Sequence, residues 1–146
     1  MPASEIQGPV ILDIPADAAT LFLVRAVAGK LSERLGFARP DTERMVLAVD
    51  EACSNVIRHA YKDRAHERMV ITFVVSDERL EILVRDFGIP ADPKTFQPRD
   101  LDDIRPGGLG IHFMRAAMDR IEYETPQGGG MLLKMTKFRP KEVSEI

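Results

Sequence analysis
Two apolar runs, Met69-Val70-Ile71-Thr72-Phe73-Val74-Val75 and Leu80-Glu81-Ile82-Leu83-Val84-Arg85, are separated only by Ser76-Asp77-Glu78-Arg79. Runs of this length, rich in β-branched residues and joined by a short polar break, predict an antiparallel hairpin. The first run is apolar almost throughout, so it is expected at the centre of a sheet and not at its edge. Such a sheet needs a second layer to cover it.

Helical patterns on the N-terminal side supply that layer. Asp17 is placed as an N-cap and Gly36 as a stop, with Leu21, Val24, Ala28, Leu31 and Leu35 as the core stripe between them. Leu23 and Val27 widen this stripe beyond what one sheet requires. Two readings follow: a deeply buried helix, or an exposed apolar strip that receives a partner. Pro40-Asp41 opens a second helix that ends near Tyr61, with Met45, Ala48, Val49, Ala52 and Val56 on one face. Val10 to Ile14, closed by Pro15, reads as a short strand before the helices. Ile121 to Glu124 and Met131 to Phe138 read as two closing strands around a turn with Gly128-Gly129-Gly130. Residues 1–146 form one expected domain, with a core over 9–139 and a tail over 140–146.

Between Asp86 and Gly108 the periodicity stops, and Pro90, Pro93, Pro98 and Pro106 interrupt any regular element. A loop of this length in a compact domain predicts a lid, a binding loop or disorder. It runs into Gly107-Gly108-Leu109-Gly110 and then a short helix with Ile111, Met114 and Met118 on one side.

Composition removes several function classes. A net charge of −3, with arginines scattered among acids, gives no basic surface for direct nucleic-acid binding. A single cysteine, Cys53, allows no internal disulfide and no zinc cluster, and fits a reducing cytoplasmic setting. No apolar run approaches a membrane span, and the first residues lack a signal-peptide pattern.

Three stretches carry chemistry. Glu51, Asn55 and His59 follow at i, i+4 and i+8, a row that drifts by roughly 40° per step along the edge of the apolar face. A carboxylate and a carboxamide there suit a general base beside a metal ligand. The plainer reading is a solvated pair, with His59 packing at the helix end. Asp86-x-Gly88-x-Pro90 puts an acid at a strand end, where it can accept a hydrogen bond from an exocyclic amine, and Gly88 lets a flat ring approach. An ordinary turn has the same pattern. Gly107, Gly108 and Gly110 at a helix start offer bare N–H groups to phosphate, without the Lys-Ser/Thr pair of a P-loop.

The order of these stretches, Val49-Asp50-Glu51-Ala52-Cys53-Ser54-Asn55 through His59-Ala60-Tyr61, then Asp86 to Pro90, then Gly107 to Gly110, resembles the nucleotide site of the GHKL ATPases. Within that superfamily it is most similar to the small anti-sigma-factor serine kinases. The resemblance covers nearly the whole chain. It implies a two-layer α/β sandwich of the histidine-kinase-like ATPase type, with helices on one face of a mixed, mainly antiparallel sheet.

The resemblance also implies a function. Asn55 would coordinate Mg²⁺ on the ATP phosphates, and Asp86 would bind the adenine amino group. Gly88 would shape the adenine pocket, and Gly107, Gly108, Leu109 and Gly110 would hold the lid and contact phosphate. Glu51 takes the position of the general base, and Arg105 that of a cation neutralising γ-phosphate charge. The family often places a threonine after the glycine that starts its last strand. Met131 stands there instead, and Thr136 lies too far along to replace it. The expected cofactors are ATP and Mg²⁺. The expected partners are an anti-sigma-factor antagonist protein, phosphorylated on serine, and a sigma factor, with room for a homodimer. Two alternatives stay open: an ATP-binding regulatory module without phosphoryl transfer, and a stand-alone histidine-kinase-like ATPase domain.

Overall fold
The fold is described from a computed structural model that places residues 6–62, 67–88 and 114–141. The expected hairpin is present. Strands β2 (Arg68–Val75) and β3 (Arg79–Asp86) pair antiparallel, with Val75 opposite Leu80 and Met69 opposite Asp86. The Ser76 amide and hydroxyl both donate to the Arg79 carbonyl and close the turn.

Strand β1 (Val10–Pro15) pairs with β2, and β5 (Leu132–Phe138) pairs with β3 on the other side. Strand β4 (Arg120–Glu124) lies outside β5, giving the order β1-β2-β3-β5-β4. Among the described residues every pairing is antiparallel, in agreement with the mainly antiparallel sheet expected.

Alternation fixes the faces. Met69, Ile71 and Phe73 of β2, Leu80, Ile82 and Val84 of β3, and Met135 of β5 are buried toward the helices. Burying this set against the helical layer is the main favourable contribution to the fold. Their neighbours Val70, Thr72, Leu83 and Leu132 lie half-buried on the opposite face.

The first helix opens with a 3-10 turn, Ala18–Thr20, in which the Asp17 side chain accepts from the Ala19 amide. It continues as α1 (Leu21–Arg34). Val24 and Ala28 are fully buried, and Val27 packs half-buried against the same core. Leu23 stays 41% exposed beside Phe22 at 58%, so the widened stripe is part core and part surface. Gly36 ends the helix at φ +88°. Helix α2 (Arg39–Asn55) starts with Pro40 in its first turn, where a missing N–H costs nothing. It buries Met45, Ala48, Val49, Ala52 and Cys53. An ion pair of 2.7 Å between Arg25 and Asp50 ties α1 to α2. Residues 114–117 are helical, with Met114 and Ala117 buried in the same core. Among the described residues no helix is long and apolar enough to cross a membrane.

Candidate functional site
The site forms where α2 ends. Beyond Asn55 the helix does not stop but widens into a π turn over Val56–Ala60, closed by the Tyr61 amide on the Val56 carbonyl at 3.1 Å. Single π turns of this kind recur at functional positions because they offset the residues that follow from the regular α-helical row. His59, expected to continue the Glu51–Asn55 row and to pack at the helix end, is exposed instead.

Glu51 and Asn55 stay one turn apart on the α-helical part and are partly buried. Arg58 reaches back over both. Its Nη2 donates to Glu51 Oε1 and to Asn55 Oδ1, each at 3.1 Å. Arg58 lies inside the π turn, and its long side chain, leaning toward the helix N-terminus, reaches back to both. The composition carried no signal for it, since Arg58 looks like any surface arginine.

Asp86 closes β3 and is 4% exposed. Its Oδ1 accepts from the Gly88 amide at 3.1 Å and from the Met131 amide at 3.3 Å, while its own amide donates to the Met131 carbonyl at 3.0 Å. Burial pushes the carboxyl above the ordinary carboxylate range; the Gly88 and Met131 amides, and then the Arg85 charge, pull part of that back. Arg85 donates to the carbonyls of Asp86 at 2.9 Å and Gly129 at 2.7 Å, and its guanidinium lies 4.6 Å from the centre of the Phe87 ring. It therefore binds the turn before β5 to the end of β3.

Two glycines bring backbone against backbone here. A Cβ at Gly88 would stand 2.7 Å from the Ala60 carbonyl oxygen, so the end of the π turn already fills that side. On this side the glycine lets β3 meet the helix end, a role different from the expected one of leaving room for a flat ring. Gly130, at φ +75°, is packed so that a Cβ would overlap the Asp86 carbonyl. Tyr61, fully buried, completes the corner: its hydroxyl donates to the Arg68 carbonyl and accepts from the Phe87 amide, both at 2.6 Å.

The Glu51–Asn55 edge and the Asp86 corner are thus joined through the π turn, by Ala60 against Gly88 and by Tyr61 on Phe87. Arg105 and Gly107, Gly108, Leu109 and Gly110 lie outside the described residues, as does the expected lid between Pro90 and Pro106. Thr136 is opposite Glu81, far from the Asp86 end of β3, in line with the sequence expectation that it cannot stand in at position 131.

Among the described residues no cluster of three or more His, Cys, Asp or Glu side chains could hold a metal. The Asn55 carboxamide oxygen already faces a positive group, Arg58, so its orientation suits a cation. Cys53 is no nucleophile: burial, followed by the Asp50 charge, raises its thiol to about 12. A groove of about 470 Å³ between α1 and α2 is lined by Arg25, Lys30, Glu33, Arg39 and Glu43 among others, and by none of Glu51, Asn55 or Asp86.

Residues 14–137 match the model of the histidine kinase-like ATPase domain. The serine-protein kinase RsbW of Bacillus pumilus is 32% identical over 141 residues, which covers 90% of this chain and 86% of that protein. RsbW of Bacillus mycoides is 33% identical over 142 residues, covering 92% and 87%. Among solved structures, the SiaB–SiaC complex from Pseudomonas aeruginosa is similar at a TM-score of 0.68 and 9% identity, over 87% of this chain and 88% of that one. The RsbU and RsbW domains of a Mycobacterium tuberculosis protein are similar at a TM-score of 0.62 and 19% identity, over 92% and 33%. These two likenesses concern the fold.

Proposed function
Since the chain belongs to the histidine kinase-like ATPase family, alongside the RsbW serine-protein kinases, we propose that it is an ATP-dependent serine/threonine protein kinase of the anti-sigma-factor type. Its substrate would be a serine on a small antagonist protein, and its other partner a sigma factor. The observation that carries this reading is the placement of Glu51 and Asn55 one turn apart at the helix end that adjoins the Asp86 corner.

Each residue has a role in the proposed reaction. The Asp86 carboxylate accepts from the adenine amino group, and Asn55 Oδ1 would hold Mg²⁺, which would supply positive charge to the phosphates. Glu51 accepts the proton of the serine hydroxyl as its oxygen bonds to the γ-phosphorus and the bond to the ADP oxygen breaks. Gly107, Gly108, Leu109 and Gly110 hold the phosphates, and Arg105 neutralises γ-phosphate charge. Orientation and charge placement supply most of the rate in such a transfer.

The test is transfer of labelled phosphate to a cognate antagonist protein, run beside nucleotide affinity. Glu51→Gln keeps the shape and loses the base, so transfer falls roughly 10²–10⁴-fold while nucleotide affinity holds. Full transfer by Glu51→Gln removes the base assignment. No transfer by the wild type, with nucleotide bound, returns the second reading: a regulatory module that uses ATP only to set its conformation.

A further inference from the structure
One nitrogen of Arg58 bridges the two side chains on which the proposed reaction depends, and it does so through the oxygen that a metal would need. Nη2 carries two N–H bonds; one points to Glu51 Oε1 and the other to Asn55 Oδ1, both at 3.1 Å. A divalent ion held by Asn55 would need the same oxygen. A guanidinium and Mg²⁺ on one carboxamide oxygen would bring like charges within a few ångströms, a repulsion that solvent at the half-exposed Arg58 only partly screens.

We propose that Arg58 is a tethered cation that competes with Mg²⁺ for Asn55 and, in the same position, holds the Glu51 carboxylate. The proposal rests on the nucleotide-site reading above and concerns the regulation of that site. When the metal takes Asn55, Arg58 leaves the carboxamide and keeps Glu51 alone. Metal loading and release of Arg58 from Asn55 are then one event. A site without ATP phosphates to strengthen its hold on Mg²⁺ favours the guanidinium, so Asn55 binds metal only together with nucleotide. Arg58 is a positioning residue in this account, since it touches the two side chains and no reacting atom.

An incidental surface ion pair predicts something different. Glu51 to Arg58 alone would be a half-exposed contact of small effect. The second bond, to a neutral carboxamide, is what such a contact does not need. Among the described residues, that bond is what places a positive charge on the expected metal ligand.

The test is calorimetric titration of ADP at a series of Mg²⁺ concentrations and in EDTA, with wild type, Arg58→Ala and Arg58→Lys. Because Arg58 is half exposed, the variants are expected to fold, and a melting curve for each checks it. Removing the competitor should lower the Mg²⁺ concentration needed for half of the metal effect by about five-fold. Affinity in EDTA should be unchanged. Arg58→Lys, which keeps the charge, should lie closer to wild type. An unchanged or raised Mg²⁺ midpoint in Arg58→Ala overturns the competition. Weaker binding of Arg58→Ala in EDTA also overturns it, because that result makes Arg58 a phosphate ligand. A wild type that binds no ADP, or binds it with no Mg²⁺ effect, removes the nucleotide-site reading and this inference with it, which separates the two failures.

Discussion

The Phe87 amide donates to the Tyr61 hydroxyl at 2.6 Å, and the same hydroxyl donates to the Arg68 carbonyl at 2.6 Å. One buried phenol therefore joins the end of the π turn to the start of β2 and the end of β3. Tyr61→Phe deletes both bonds and leaves a partly buried amide and carbonyl to find other partners, at a cost of about 1–2 kcal/mol. For a chain of this size that lowers Tm by roughly 2–4 °C per kcal/mol. Nucleotide affinity should fall as well, because Phe87 lies between Asp86 and Gly88. Thermal melts and ADP titration check both; a variant with wild-type Tm would remove Tyr61 as the link.

Asp86→Asn separates stability from binding. The asparagine oxygen can still accept from the Gly88 and Met131 amides, but the charge proposed to face adenine is gone. Nucleotide affinity should drop about 10–100-fold, the range for losing a hydrogen bond to a charged group. Stability should move the other way. Burial raises the Asp86 carboxyl above its ordinary 3.8, so the folded chain keeps this proton to higher pH than the unfolded chain does. The contribution of Asp86 to stability is thus most favourable at low pH and declines as pH rises from 3.8 through the raised value. The difference in Tm, variant minus wild type, should grow over that window and then level off. Melting both proteins from acid to neutral pH measures it, and a constant or shrinking difference contradicts the sign.

Gly130→Ala and Gly128→Ala form a pair that isolates close packing from backbone conformation. Both glycines have φ in the left-handed region, +75° and +100°. A Cβ at 128 meets nothing within 4 Å, so that change should cost about 1–2 kcal/mol in backbone strain. A Cβ at 130 overlaps the Asp86 carbonyl, and the end of β3 must move. Its cost should exceed about 3 kcal/mol, and nucleotide affinity should fall with it. Denaturant unfolding ranks the two. Equal costs would mean that β5 can shift freely away from Asp86.

Met131→Thr addresses adenine affinity. The Met131 amide already donates to Asp86 Oδ1 at 3.3 Å, so position 131 stands at the carboxylate whatever its side chain. A hydroxyl there adds a polar partner that methionine lacks, and ADP affinity should rise by about three- to ten-fold, the size of one ordinary hydrogen bond. Calorimetry decides it, and a loss of affinity would show that the thioether is part of the pocket.

The elements that could be read from the sequence are those whose side chains report their surroundings. The β2–β3 hairpin was legible because its apolar runs are bounded by four polar residues, and α2 because Met45, Ala48, Val49, Ala52 and Val56 repeat at helical spacing. Glu51, Asn55, Asp86 and Gly88 were legible as types at a spacing. What the sequence hid was done by backbone or by geometry. The Met131 amide that binds Asp86 belongs to a residue whose side chain suggests nothing polar. The π turn at Val56–Ala60 has the same apolar pattern as a continuing α-helix, so His59 was expected on a row that the wider turn abandons. Arg58 was hidden because bridging two residues depends on where three side chains meet, which no local pattern encodes. The wide stripe on α1 was ambiguous, and the structure divides it, Val27 to the core and Leu23 to the surface.

The insertion of β5 between β3 and β4 has a consequence for the order in which the protein assembles. The β2–β3 hairpin closes over a few residues, but the pairing of Arg85 with Leu132 must close a long stretch of chain, and such contacts form late. The Met131 amide, the Gly129 carbonyl and Gly130 all reach Asp86 only with that last strand. A refolding chain therefore acquires the β2–β3 hairpin and its helices before it acquires the Asp86 corner proposed to hold adenine. Recovery of nucleotide binding should lag behind recovery of secondary structure, and a ligand present from the start would capture the product of the final step without hastening the first.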